Sequence, residues 1–168
     1  MAIPPTPHKH LPAFGTRLIG RDANIARVEA LLDSARLVTI VGTGGVGKTR
    51  LAVEVAARRS MPGAFVDLSV IAEASLASER LAGAQDRSVG DRRYGGVVEY
   101  MADRPMRLVV DNIEHVIGAA VGLGALVRST SQVVIIATSR EPLRVEGEVV
   151  YALEPLAMPC VGSVNDRV

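Results

Sequence analysis

Residues 36–59 read RLVTIVGTGGVGKTRLAVEVAARR. A short branched apolar run breaks into four glycines within six positions, then a lysine, a threonine and a helix-like segment. A flexible turn would need no lysine there, whereas a loop that approaches a ligand with its backbone would. Gly42 to Thr49 satisfies G-x-x-x-x-G-K-[ST] in full, with a strand-like run before it and a helix-like run after it. Glycine lets consecutive backbone N–H groups curl around a phosphate without Cβ clashes. The helix that follows directs its positive end at the same anion. Lys48 is placed to reach β- and γ-phosphates, and the Thr49 hydroxyl to ligate Mg²⁺.

Working outward, RLVTIV, AFVDL, RLVVDN, QVVIIATSR and EVVYAL have the short, branched, apolar character of buried strands. GRDANIARVEALLD carries Ile25, Val28, Leu31 and Leu32 at helical spacing, with Asp22 as the expected N-cap. A second helix is expected from Lys48 to about Arg59, and a glycine-weakened third over EHVIGAAVGLGALVRS. Between residues 69 and 104, SVIAEASLASERLA and GVVEYMA look helical, with a polar loop between them. Strands alternating with helices predict a parallel sheet with right-handed crossovers and a ligand site beyond the carboxyl ends of the strands. The domain is expected over residues 14–157, between a proline-rich arm (1–13) and a tail (158–168). The arm holds four prolines with His8 and His10, which read as solvated tail residues rather than a metal tract.

Three polar clusters fall at that strand edge. Besides the glycine loop, Asp111 closes a strand and is the candidate partner of Thr49 on Mg²⁺, a helix cap being its other reading. The position after it, where a general base would stand, is Asn112, which cannot take a proton. Glu114 is therefore the candidate base, though it equally suits a helix start, and His115 fits packing better than catalysis. Arg140, after the polar pair Thr138–Ser139, is the candidate sensor of a γ-phosphate.

The bulk properties narrow the class. A core of Val, Leu, Ile and Ala, with two Phe, three Tyr and no Trp, suits strands covered on both faces. A net charge of +1 leaves no electrostatic footprint for nucleic acid or an anionic membrane. The single Cys160 excludes an internal disulfide. The longest apolar run, HVIGAAVGLGALV, falls short of the roughly 20 residues that span a bilayer, and the N-terminus lacks a signal-peptide run. A soluble cytoplasmic protein is expected.

LIGRDANIARVEALL, VTIVGTGGVGKTRLA, FVDLS, LVVDNIEHV and VIIATSREPLRVEGEVVYALEPL follow one another in this order. In this the chain resembles the nucleotide-binding domain of bacterial STAND ATPases of the NB-ARC or AP-ATPase kind, as in LuxR-type and AfsR-like transcriptional regulators. The resemblance covers most of residues 11–157 and is weakest in 69–100. It implies a P-loop NTPase fold, a three-layer α/β/α sandwich with a five-stranded, mainly parallel sheet in the order 5-1-4-3-2. It implies an ATP/ADP switch with Mg²⁺, in which Gly20 and Arg21 line the adenine side largely through main chain. Gly42, Thr43, Gly44, Gly45, Val46, Gly47, Lys48 and Thr49, with adjacent Arg50, would hold the nucleotide. Asp111 corresponds to the family's strand aspartate and Arg140 to its sensor arginine. Family members continue into lid segments and a DNA-binding helix-turn-helix. This sequence stops near Val168, so the expectation is a core site without its moving part, and slow hydrolysis.

Two other readings stay open. A non-enzymatic remnant or interaction module would bind nucleotide weakly and serve a protein partner or self-association. A small-molecule kinase would need an acceptor lid with arginines, which SERLAGAQDRSVGDRRYGG supplies, although ATSREPL speaks against it. No N-K-x-D-type motif supports a guanine-nucleotide protein.

Overall fold

A computed structural model of the chain describes residues 11–58, 61–69, 105–116 and 119–156. Helix α1 (Asp22–Ser34) leads to strand β1 (Leu37–Val41), the glycine loop and helix α2 (Lys48–Ala57). Strands β2 (Gly63–Asp67) and β3 (Met106–Asp111), a 3-10 turn (Ile113–His115), helix α3 (Ala119–Ser129), and strands β4 (Val133–Ser139) and β5 (Glu148–Ala152) follow. The five strands form one sheet in the order β2-β3-β4-β1-β5, which is the expected 5-1-4-3-2. Every pairing is parallel, so the sheet is wholly rather than mainly parallel. With helices on both faces and the glycine loop between β1 and α2, this is the α/β P-loop fold.

Period-2 alternation sends each strand's side chains to two cores. Val38, Ile40, Val109 and Ile136 meet Ile25, Val28 and Leu32 of α1 and Leu51 and Val55 of α2 on one face. Leu37, Leu108, Val110, Ile135 and Ala137 meet Leu126 and Val127 of α3, with Ile113, on the other. Because both faces are covered, the central strands are near-continuous apolar runs. Arg107 interrupts the run within β3, 3% exposed. Its Nη1 donates to the Ala56 carbonyl at 2.7 Å, placing a cation at the C-terminal end of α2, where the helix dipole favours one. Leu11 packs against the first core, and its side chain lies where a Cβ on Gly63 would stand.

Two expectations are corrected. Asp22 is the first residue inside α1, not its cap. The Ile25 amide already bonds the Arg21 carbonyl at 2.9 Å, and no side chain caps that end. The helix expected from Glu114 is not continuous. Asn112 is left-handed, Ile113–His115 make a 3-10 turn, and Val116 is extended (φ −124°, ψ 105°), so α3 is a separate element. The helices expected between 69 and 104, Arg59, the histidines of the arm, Cys160 and the tail lie outside the described residues. Among the described residues no helix is long and apolar enough to cross a membrane.

Candidate functional site

Because the strands run parallel, their carboxyl ends share one edge, and the segments leaving β1, β3 and β4 line a single cleft there. The loop after β1 curls tightly. Gly47, which precedes α2, has φ +99°, a left-handed conformation that a side chain would strain. A Cβ on Gly42 would come within 2.8 Å of the Leu153 carbonyl oxygen, so the chain leaving β5 packs against the loop's first residue. Cβ atoms built on Gly44, Gly45 and Gly47 would meet nothing within 4 Å, so the cradle stands open on its inner side. Lys48 is 9% exposed and folds back over the loop, its Nζ donating to the Gly42 and Thr43 carbonyls at 2.8 and 3.0 Å.

Thr49 Oγ1 donates to Asp111 Oδ1 at 2.7 Å across 62 residues of sequence. The Thr138 hydroxyl donates to the same carboxylate oxygen and accepts from the Asn112 amide at 3.1 Å. Asn112 holds φ 57° and ψ 45°, a conformation Asn tolerates better than most residues. From there its Nδ2 donates to Asp111 Oδ2 and to Asp67 Oδ1, both at 3.2 Å.

Asp67 was not singled out by sequence. It ends β2 and stands in register with Asp111. Partial burial, the largest single influence, pushes its carboxyl up. The Ser69 hydroxyl and amide, the Asn112 amide and the charge of His115 outweigh that and hold it below the ordinary carboxylate value.

On the opposite wall, Arg140 Nε lies 3.4 Å from Glu114 Oε1. Glu114 Oε2 is buried and has no hydrogen-bond partner among the described residues. The loop carrying Arg140 is braced from β5. The Leu143 and Arg144 amides donate to the two Glu148 carboxylate oxygens at 2.9 and 2.8 Å, with Arg144 left-handed at φ 57°.

Lys48, Thr49, Asn112, Glu114 and Arg140 thus line one cleft of about 270 Å³ with Gly44, Gly45, Gly47 and Arg50. That volume lies just under the roughly 300–1,000 Å³ of whole-ligand pockets. Phe14 also lines it, a residue that sequence reasoning passed over. The Arg50 guanidinium lies 5.1 Å from the Phe14 ring centroid and donates to the Thr16 hydroxyl at 2.8 Å and to the Thr16 carbonyl. Gly20 and Arg21 do not line the cleft. Arg21 is 6% exposed and works from behind the loop, donating to the Val46 carbonyl at 3.0 Å and the Glu154 carbonyl at 2.7 Å. Among the described residues, no group of three or more His, Cys, Asp or Glu side chains is arranged to hold a metal. Thr49 presents its hydroxyl at the cleft, and the Asp111 carboxylate, 4% exposed and outside the lining itself, stands next to it in hydrogen-bond contact with that hydroxyl. This suits Mg²⁺, a hard ion that keeps several waters and takes its other ligands from phosphate.

No protein-family model matches the chain. Proteins of Mycobacterium bovis and Mycobacterium tuberculosis that carry the provisional name of HTH-type transcriptional regulator are 35% identical to it over 137 residues. That alignment takes in 78% of this chain and 15% of the relative, so the chain spans a small part of the length of the curated relatives it matches. Among solved structures, the Signal Transduction ATPase with Numerous Domains (STAND) protein with a tetratricopeptide repeat sensor from Pyrococcus horikoshii is similar, with a TM-score of 0.52. It is 19% identical, and the match covers 89% of this chain and 25% of that one. Cdc6p from Pyrobaculum aerophilum matches with a TM-score of 0.51 and 15% identity, covering 87% of this chain and 47% of that one. At such identities the likeness establishes the fold alone.

Proposed function

We propose that the chain is an ATP- and ADP-binding, Mg²⁺-dependent P-loop module that hydrolyses ATP slowly and forms the nucleotide switch of a transcriptional regulator. The observation that carries this reading is the Thr49–Asp111 hydrogen bond at 2.7 Å. It brings the last residue of the glycine loop and the end of β3 to one point beside Lys48, where a phosphate-bound cation would sit. The regulator assignment draws on the provisional name of the mycobacterial relatives. The switch assignment draws on the STAND neighbour. Residues 14–157 would form the nucleotide-binding domain.

The loop's backbone amides and the start of α2 would take the phosphates. Lys48 would exchange the Gly42 and Thr43 carbonyls for β- and γ-phosphate oxygens, losing no hydrogen bonds in the process. Thr49 and Asp111 would hold Mg²⁺, which supplies charge neutralisation between the β- and γ-phosphates. Asn112 spends its amide donors on Asp111 and Asp67, orienting both carboxylates and removing no proton. Arg140 would stabilise charge on the γ-phosphoryl group. Glu114 pairs with Arg140 through one oxygen and would serve as base only once Arg140 is drawn to the γ-phosphate, which supports slow turnover. The same pairing favours a second reading, a switch that binds nucleotide without hydrolysing it.

Titration of the purified chain with a fluorescent ATP analogue, with and without Mg²⁺, tests the proposal. Saturable, Mg²⁺-sensitive binding that is lost in Lys48→Ala is expected. No saturable binding to a chain shown by circular dichroism to be folded would overturn it. Phosphate release above the Lys48→Ala background separates the two readings.

A further inference from the structure

Glu114 occupies an odd position for a carboxylate. It is held in the cleft wall by the 3-10 turn, its side chain is 15% exposed, and one of its oxygens is buried without a partner. Leaving a buried carboxylate oxygen unanswered is costly. Among the described residues its one ion pair is with Arg140, reached through Nε, and no bond is made there by the terminal guanidinium nitrogens of that 68% exposed side chain. The loop bearing Arg140 is braced by Glu148, which accepts from the Leu143 and Arg144 amides and so steadies the backbone from which Arg140 reaches the cleft.

We infer that Glu114 is a specificity-determining residue that competes with the γ-phosphate for Arg140. This rests on the nucleotide-binding reading and deepens it. With the γ-position empty or ADP bound, Arg140 stays with Glu114 and the wall is electrically balanced. When a triphosphate enters, the γ-phosphate and the Glu114 carboxylate are two anions sharing one guanidinium. The γ-phosphate must draw Arg140 away and leave Glu114 half-buried and unpaired. Part of the attraction for the third phosphate is thereby cancelled, and the ATP and ADP affinities are brought closer together. A site with Arg140 and no Glu114 would hold ATP more firmly and return to its diphosphate state less readily.

The test is the ratio of ADP to ATP dissociation constants, measured by competition against a fluorescent nucleotide with Mg²⁺. Glu114→Gln keeps the side chain's shape, and Glu114→Ala is the second variant should the first misfold. The ratio should move towards ATP by about tenfold in either, the lower part of the range of coupling between sites. In an Arg140→Ala background, the same substitution should shift the ratio much less, because there is no guanidinium left to contest. A merely structural Glu114 would weaken both nucleotides together, and that result overturns the inference. So does a shift towards ADP, or a gain that persists undiminished without Arg140. Normal binding with an unmoved ratio sinks only this inference, whereas absence of binding to the folded parent chain sinks the nucleotide reading and this one with it.

Discussion

Arg21 offers the most direct test of how the glycine loop is held. Its guanidinium spans the Val46 carbonyl in the loop and the Glu154 carbonyl in the chain leaving β5, at 3.0 and 2.7 Å. Hydrogen bonds to a charged group contribute about 1.5–3 kcal/mol each, and carbonyls stripped of a buried partner cost a similar amount. Arg21→Met keeps the apolar stem and removes both bonds, so it should lower unfolding stability by about 3–5 kcal/mol. Against the about 5–15 kcal/mol of a typical domain, that is a large fraction. Arg21→Lys keeps the charge but presents a point rather than a fork. It reaches one carbonyl at a time and should lose about half as much. Urea unfolding followed by circular dichroism reads both, the midpoint falling while the slope stays constant. Nucleotide affinity should weaken in the same order, because the Val46 carbonyl is released into the loop. A Met variant within about 0.5 kcal/mol of the parent, the range of an ordinary surface change, would refute the reasoning.

Gly42→Ala should disturb the same junction from the other side, since its Cβ would sit 2.8 Å from the Leu153 carbonyl oxygen. The expected outcome is a loss of about 1–3 kcal/mol with weakened nucleotide binding, and unchanged thermal stability would contradict it. Asp67, whose carboxyl is held below its ordinary value, gives a pH prediction. The folded state binds its proton less readily than the unfolded chain, so its contribution is present above the ordinary aspartate range and is lost as pH falls through and below roughly 4. The stability difference between the parent and Asp67→Asn, measured in urea at pH 6, 4 and 3, should therefore shrink with acid, and a constant difference would count against it.

Much of this was written in the local sequence. RLVTIV, RLVVDN and QVVIIATSR are apolar because both sheet faces are covered, and the Gly-Lys-Thr pattern marks the turn from β1 into α2. The parts that escaped are those fixed by register and by distant partners. Asp67 gains its place only once β2 lies beside β3, which sets it opposite Asp111. The ties made by Arg21 run to residues 25 and 133 positions away, which no local pattern records. Phe14 reaches the cleft through its contact with Arg50, invisible as a lone aromatic in a short stretch between Pro12 and Gly15. Asn112 read as a missing base. Its left-handed backbone, which aims one amide at two carboxylates, has no spacing signature.

The central strand has a consequence for how the chain is made. Leu37 of β1 is paired on one side with Ile135 of β4 and on the other with Glu148 of β5, each about a hundred residues further along. At roughly 5–20 residues per second, the ribosome delivers those partners several to about twenty seconds after β1 emerges. For that interval an uncharged, branched strand waits with both edges open, a hazard for association with other nascent chains. The glycine loop hangs from that strand and cannot be fixed in shape before β4 arrives. Capture of nucleotide would therefore mark the end of synthesis of this domain, not its beginning.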